Sequence, residues 1–168
     1  GLFCRLPSGE VVRGPVWPGL AAFPDFTDPK ARAWWGEKLK GFLEMGVAGL
    51  WLDMNEPALF AAWGEPTLPA SARHALEGQG GDHRLAHNLY GLLMARASWE
   101  GFRKHAPERR PFLLTRSGHA GVQRYAWAWT GDVESTWEGL RTTLRALLGL
   151  SLSGVYFVGS DIGGFSGN

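Results

Sequence analysis

The sequence predicts an α/β protein built on a parallel sheet covered by helices. Segments with apolar residues at three- and four-residue spacing alternate along the chain with short, nearly uninterrupted apolar runs. Those runs, Val47-Ala48-Gly49-Leu50-Trp51-Leu52 and Val155-Tyr156-Phe157-Val158 among them, are too apolar to keep one face in water. Each run also ends in charged or polar residues, the pattern of parallel strands that present a ligand site at their carboxyl ends.

From the amino end, Leu2-Phe3-Cys4-Arg5-Leu6, the turn Pro7-Ser8-Gly9 and Val11-Val12 make a short hairpin, followed by irregular chain to Phe26. Asp28-Pro29 is an N-cap with proline in the first turn. Ala31, Trp34, Trp35, Leu39, Phe42 and Leu43 then carry a helix to Gly46. The first strand covers 47–52 and a Gly/Pro-rich loop covers 54–82. A second helix spans about 83–104, with Leu85, Leu89, Leu92, Leu93, Ala97 and Phe102 as its apolar face. Strands follow at 111–115 and 125–130, joined by a short loop at 118–123. Ser135 is expected to cap a third helix over about 137–150, with Glu138 as the capping-box acid. The last strand is 155–158.

Composition narrows the function classes. The 168 residues are one domain's worth of chain, and 45% hydrophobic content excludes disorder. Lys+Arg 17 against Asp+Glu 16 leaves a charge of +1. No basic run is longer than a pair such as Arg109-Arg110, which argues against nucleic acid as a partner. The longest uncharged stretch, 146–160, falls short of the ~18 apolar residues of a spanning helix, and residues 1–5 do not form a signal peptide, so no membrane partner is expected. The lone Cys4 rules out an internal disulfide framework and a Cys-based zinc site; it suits a reducing compartment, and the cytoplasm is the expected location. Nine tryptophans are unusually many, and several stand in polar, Gly-rich contexts.

The first strand runs into Asp53, Asn55 and Glu56, the second into Arg116 and Ser117, the third into Asp132 and the fourth into Asp161. An aspartate after a strand commonly caps the next helix, but no helix starts near Asp53 or Asp161. Two carboxylates on nearby strand ends suit cleavage of a glycosidic bond: one attacks the anomeric carbon while the other, protonated, gives its proton to the leaving oxygen. Indole rings beside them suit the apolar faces of sugars, although tryptophan serves equally well as core. Other constellations carry less. His83-x-x-x-His87 has helical spacing but no adjacent Glu and no apparent third ligand, so a surface helix face is expected rather than a metal site. The loop at 159–164 lacks both the dinucleotide spacing and a Walker lysine. Ser117 and His119 lack the support of a nucleophile pair, and Arg103, Lys104, Arg109 and Arg110 read as a solvated helix end and turn.

The residues become specific at Trp51-Leu52-Asp53-Met54-Asn55-Glu56-Pro57, which resembles the W-[IL]-D-M-N-E-P signature of glycoside hydrolase family 31, the α-glucosidases and their relatives. Five further features agree in the same order. Val16-Trp17-Pro18-Gly19 with Phe23-Pro24-Asp25-Phe26-Thr27 and Trp34-Trp35 resemble the segment before the signature. Arg116-Ser117, Arg124-Tyr125-Ala126 and Trp129-Thr130-Gly131-Asp132 resemble the family's R-S, R-Y-A and W-x-G-D stretch, and Phe157-Val158-Gly159-Ser160-Asp161-Ile162-Gly163-Gly164-Phe165 its F-V-G-[AS]-D-I-x-G-F strand end.

The resemblance implies roles. Asp53 matches the catalytic nucleophile and Asp132 the general acid/base. Arg116 and Asp161 match residues that hold sugar hydroxyls, Trp51 and Trp129 match pocket walls, and Met54, Phe60 and Trp17 match further lining positions. The activity implied is that of a retaining exo-α-glucosidase releasing terminal α-linked glucose from oligosaccharides, with neither metal nor organic cofactor. An α-xylosidase or transglycosylase of the same family stays open, as does an inactive fragment that only binds sugar. Val133, His119 and Gly163 depart from the family's usual residues and bear on substrate preference rather than reaction type. The fold implied is a partial (β/α)8 TIM barrel, about strands four to seven with their helices, as one segment over 1–168, incomplete at both ends. The remainder of the barrel and β-sandwich domains are then its expected partners, and two strand edges are left unpaired.

Overall fold

The computed structural model describes residues 1–60 and 66–167. The first hairpin is present as an antiparallel bridge between Arg5 and Val11, beside a backbone bond from Val12 N to Cys4 O at 2.9 Å. The chain expected to be irregular then forms a second hairpin, β1 (Arg13–Val16) and β2 (Gly19–Ala22). Helix α1 (Pro29–Glu44) starts where the Asp28 carboxylate accepts the Lys30 N–H at 2.8 Å, and it is followed by Gly46 at φ +91°, a left-handed turn that glycine adopts freely.

Strand β3 (Gly49–Leu52) leads into the supposed loop, which contains a two-residue antiparallel pair, β4 (Arg73–His74) and β5 (Gly81–Asp82). Pairs this short leave no periodicity to detect. Helix α2 (His83–His105), strands β6 (Phe112–Thr115) and β7 (Trp127–Trp129), helix α3 (Trp137–Leu152) and strand β8 (Val158–Gly159) complete the chain. Two local expectations are corrected. The cap of α3 is Thr136, whose hydroxyl accepts the Gly139 N–H at 2.9 Å, because the Ser135 N–H is drawn to Ser166 O at 2.6 Å; Glu138 pairs with Arg141 at 2.8 Å instead of closing a capping box. Strand β8 starts later than predicted because Val155 N still bonds to Leu150 O at the end of α3, and the sheet bond nearest the start of β8 is Ala128 N to Phe157 O.

The main sheet has the order β3-β6-β7-β8 with every neighbour parallel. Side chains alternate across it, as they must in a pleated strand. Leu52, Leu113 and Thr115 are buried on the helix side, whereas Trp51, Phe112 and Trp127 lie open on the other. On that open face Trp127 sits 5.9 Å from Phe112 and 4.8 Å from Phe157, centroid to centroid, the layered aromatic filling of a barrel interior. Two apolar clusters support the helix side: Leu43, Leu52, Leu92, Phe102 and Leu113 under α1 and α2, and Cys4, Val12, Phe23, Phe26, Leu68 and Tyr90 around the amino-terminal segment. Helices α1 and α2 meet backbone to backbone, for a Cβ on Gly101 would lie 2.5 Å from Gly36 Cα. The outer stripe of α3, Leu140, Leu144, Leu148 and Leu152, faces solvent.

Candidate active site

The site grows from the chain leaving β3. Leu52 is anchored in the core and Asp53 is the next residue; Met54 then takes a left-handed φ of +56°, which folds the chain back over the end of β6. Asn55, 1% exposed, locks that turn: its Nδ2 donates to Thr115 Oγ1 at 2.8 Å and its Oδ1 accepts the Ser117 N–H at 3.0 Å. Thr115 Oγ1 in turn donates to Ser117 O at 2.7 Å, and Arg116 N to Leu52 O at 3.1 Å. These bonds staple the ends of β3 and β6 together and bring Arg116 beside Asp53.

Arg116 is held on three sides. Its Nε donates to Glu56 Oε1 at 2.9 Å and its Nη2 to Glu56 Oε2 at 3.0 Å, a bidentate fork. Nη2 also points at Met54 Sδ, 2.9 Å away, and Nη1 lies 3.1 Å from Asp53 Oδ1. The last contact is an ion pair whose geometry is not that of a hydrogen bond, so Asp53 Oδ1 is a buried acceptor without a donor among the described residues. An acceptor left without a donor costs stability, and the Arg116 charge beside it offsets part of that cost. The hydrogen bonds to Glu56 raise the Arg116 pKa above its ordinary value against partial desolvation, and the charges of Glu56, Asp53 and Asp132 add to the shift.

Asp132 stands exposed after β7, within the field of Arg116. The preceding Gly131 is buried at φ +73°, and a Cβ there would lie 3.6 Å from Arg116 Cδ, so the end of β7 turns closely over the arginine stem. Thr130 joins β7 to β8 through its hydroxyl, which donates to Ser160 Oγ at 2.9 Å; Asp161 follows, half-buried. Trp51 and Trp129 pair across the open face with centroids 5.8 Å apart. Trp17, at the β1–β2 turn, packs edge-on against Phe60 at 4.8 Å, and Phe60 N donates to Pro15 O at 2.9 Å. The candidate residues thus form three groups by direct contact: Asp53 with Arg116 and Met54, Trp51 with Trp129, and Trp17 with Phe60. The residues that position them, Asn55, Glu56, Thr115 and Ser117, carried no assigned role in the sequence; Asn55 and Glu56 lie inside the signature and were its available signal.

A second polar cluster lies behind the site and corrects the reading of His83. That residue is 2% exposed, not on a surface face. Its Nδ1 is 3.0 Å from His74 Nε2 and its Nε2 is 3.2 Å from His87 Nδ1, while His74 Nδ1 is 3.0 Å from Asp25 Oδ1. Asp25 and His74 are far from His83 in sequence, which hid the cluster. Burial pushes His83 down to about 4, with the charges of His74 and His87 adding and that of Asp82 opposing. Burial alone would raise Asp25; bonds from His74, Thr27 and Ala75 outweigh it and hold the carboxyl below its ordinary range. Cys4, Asp25 and His74 place a sulfur, a carboxylate oxygen and a ring nitrogen within 4.8 Å of one another. The Asp25 carboxylate already accepts from His74 Nδ1, Thr27 N, Thr27 Oγ1 and Ala75 N, which fills its lone pairs. Burial also pushes the Cys4 thiol well above its ordinary pKa, with the Asp25 charge adding to the shift. The cluster is an anchor for the β4–β5 segment.

The model of the "Glycosyl hydrolases family 31 TIM-barrel domain" matches residues 1–168. The chain belongs to glycosyl hydrolase family 31. Within family 31 it is 47% identical over 166 residues to "Alpha-glucosidase 2" of Bacillus thermoamyloliquefaciens, covering 99% of this chain and 21% of that one. It is similar in structure to the "Family 31 alpha-glucosidase" of Bacteroides thetaiotaomicron, with 44% identity, a TM-score of 0.78 and coverage of 96% of this chain and 25% of that chain. A family 31 dextranase of Flavobacterium johnsoniae, solved with glucose, superposes with a TM-score of 0.88 at 31% identity over 100% of this chain and 21% of that chain. The chain therefore spans about a fifth to a quarter of the length of these relatives. The parallel sheet β3-β6-β7-β8 is a stretch of the family 31 barrel wall.

Proposed function

We propose that the chain carries the catalytic face of a retaining exo-α-glucosidase that releases terminal α-linked glucose from oligosaccharides, with Asp53 as nucleophile and Asp132 as general acid/base. The observation that carries this reading is the Asp53–Arg116 ion pair at 3.1 Å on the strand end beside Trp51 and Trp129. Asp53 attacks the anomeric carbon while Asp132 protonates the departing oxygen, giving a covalent glycosyl ester; Asp132 then takes the proton of the attacking water as the ester is broken. Two inversions at one carbon retain its configuration. Asp53 and Asp132 stand on strands separated by one neighbour, β6. A retaining mechanism needs their carboxyl groups about 5–5.5 Å apart. Arg116 and Asp161 hold the sugar hydroxyls; Trp51 and Trp129 wall the pocket, with Met54, Phe60 and Trp17 lining it further out. The relatives' names support α-glucosidase activity. The exposed leucine stripe of α3 supports burial against further barrel elements of a longer protein.

In the full-length protein, Asp53→Asn brings turnover of an α-glucoside to background. Asp132→Ala loses about 10²–10⁴-fold on a natural disaccharide and far less with an activated leaving group that needs no proton. Proton NMR of the first product shows α-glucose. Appearance of the β-anomer first, or robust turnover by Asp53→Asn, refutes the assignment.

A further inference from the structure

We infer that Glu56 is a positioning residue of the reaction: its fork onto the Nε/Nη2 edge of the Arg116 guanidinium keeps that edge from turning onto Asp53 and leaves Nη1 free for substrate. This rests on the reading of Asp53 as nucleophile. A guanidinium has five N–H groups in a fixed plane. Glu56 takes Nε–H and one Nη2–H, at 2.9 and 3.0 Å, and Met54 Sδ takes the other Nη2–H. Nη1 therefore faces Asp53 across the 3.1 Å ion pair without donating a hydrogen bond to it. Its N–H groups are left for a hydroxyl of a bound sugar.

The charge balance explains why the arrangement needs Glu56. Arg116 lies between two carboxylates: Glu56 occupies the Nε/Nη2 edge, and Met54 Sδ takes the Nη2–H that a second fork, from Nη1 and Nη2 onto Asp53, would need. Without Glu56, the carboxylate beside the guanidinium to receive the fork is Asp53, whose Oδ1 has no donor among the described residues. A nucleophile that accepts two charge-assisted hydrogen bonds has its lone pairs committed and attacks carbon more slowly. Glu56 therefore acts through Arg116, and Asn55, bonded to Thr115 and Ser117, holds the turn that carries it at that strand end.

The test is a double-mutant cycle in the full-length enzyme, read with an activated α-glucoside. Glu56→Gln is expected to lower kcat by about 10–100-fold with a much smaller change in KM, and Glu56→Asp, which keeps the charge, to recover part of that loss. In an Arg116→Ala background, or Arg116→Lys if alanine leaves no signal, Glu56→Gln is expected to cost less than about threefold, since a residue acting through Arg116 has nothing left to act on. Equal losses in both backgrounds, or no loss in the parent background, overturn the inference. Thermal unfolding of each variant separates these results from misfolding; if Glu56→Gln does not fold, Glu56→Asp and Arg116→Lys complete the same cycle. A crystal structure of Glu56→Gln reads the fork directly, on Asp53 as expected or unmoved, which is a refutation. Parent enzyme and Asp53→Asn run alongside: a parent that hydrolyses nothing, or an active Asp53→Asn, defeats the reading of the site, whereas an intact parent with an additive cycle defeats only the role of Glu56.

Discussion

The crossing of α1 and α2 rests on two glycines, and replacing them one at a time measures how much of the fold depends on that contact. A Cβ added at Gly101 would lie 2.5 Å from Gly36 Cα, 3.0 Å from Gly36 O and 3.2 Å from Gly36 C. All three are backbone atoms, so no side chain can swing aside; the helices must separate by about 1 Å to restore ordinary contact near 3.5–4.0 Å. That separation loosens Leu39, Leu43, Ala97 and Phe102, buried on the same helices, and stretches the 2.9 Å hydrogen bond from Trp35 Nε1 to Ser98 Oγ. Overpacking of this kind costs about 1–3 kcal/mol, against which alanine's helix propensity returns somewhat under 1 kcal/mol. Gly101→Ala is therefore expected to destabilise by about 1–2 kcal/mol. At Gly36 the nearest atom to an added Cβ is Gly101 Cα at 3.1 Å, so Gly36→Ala should cost less, near zero to 1 kcal/mol. Gly41, on the exposed side of α1, has nothing within 4 Å of an added Cβ, and Gly41→Ala should stabilise by about 0.5–1 kcal/mol. Urea unfolding followed by far-UV circular dichroism gives all three values from one protocol. An order in which Gly101→Ala is as stable as the parent, or Gly36→Ala is the costlier of the two, refutes the claim that backbone contact at this crossing sets the helix packing.

Acid should weaken the protein through the buried imidazole cluster. The unfolded chain binds a proton at His83 near pH 6.5 and the folded chain only near 4, so between those values the unfolded state holds more protons and stability falls as pH drops through that window. The full shift corresponds to at most about 3 kcal/mol, and residual solvent screening brings the expected loss to about 2 kcal/mol. A urea midpoint that stays flat from about pH 7 to about pH 4.5 in the parent contradicts this. Asp25, held below its ordinary range, contributes stability that is lost at lower pH still, so unfolding steepens under stronger acid. Thr115→Val removes the hydroxyl that Asn55 Nδ2 and Ser117 O share; leaving those buried groups unpaired should cost about 1–3 kcal/mol and loosen Asp53 against Arg116, seen as lower kcat/KM and a lower Tm together. A Tm loss with unchanged kcat/KM would show that the staple supports the fold but not the site.

Much of this was legible in the sequence for physical reasons that can be named. The cap at Asp28 and the stop at Gly46 are local events, decided by one carboxylate and one left-handed backbone angle, and both are where the sequence places them. The strands at 49–52 and 112–115 were found because a buried parallel strand must be apolar on both faces, and the one at 127–129 from a weak alternation over 125–130. Expectations failed where the deciding partner is distant. Ser135 lost the cap of α3 to Thr136 because of a backbone bond to Ser166, and the β4–β5 pair is too short to announce itself. His83 looked like a surface residue because the groups that bury it, His74 and Asp25, are 9 and 58 positions away.

The sequence by itself determined the alternation of helix and strand, the family signature around Asp53, and which carboxylates and indoles stand at strand ends. Those follow from local propensity, hydrophobic period and residue identity, all of which a one-dimensional string carries. Only the tertiary structure decided that Arg116 lies between Glu56 and Asp53, that Asn55 and Thr115 staple two strand ends, and that an imidazole at His83 is kept neutral behind the site. Each of those depends on distances between atoms some 9 to 63 residues apart, and hydrogen bonding, desolvation and charge pairing act through such distances rather than through sequence separation.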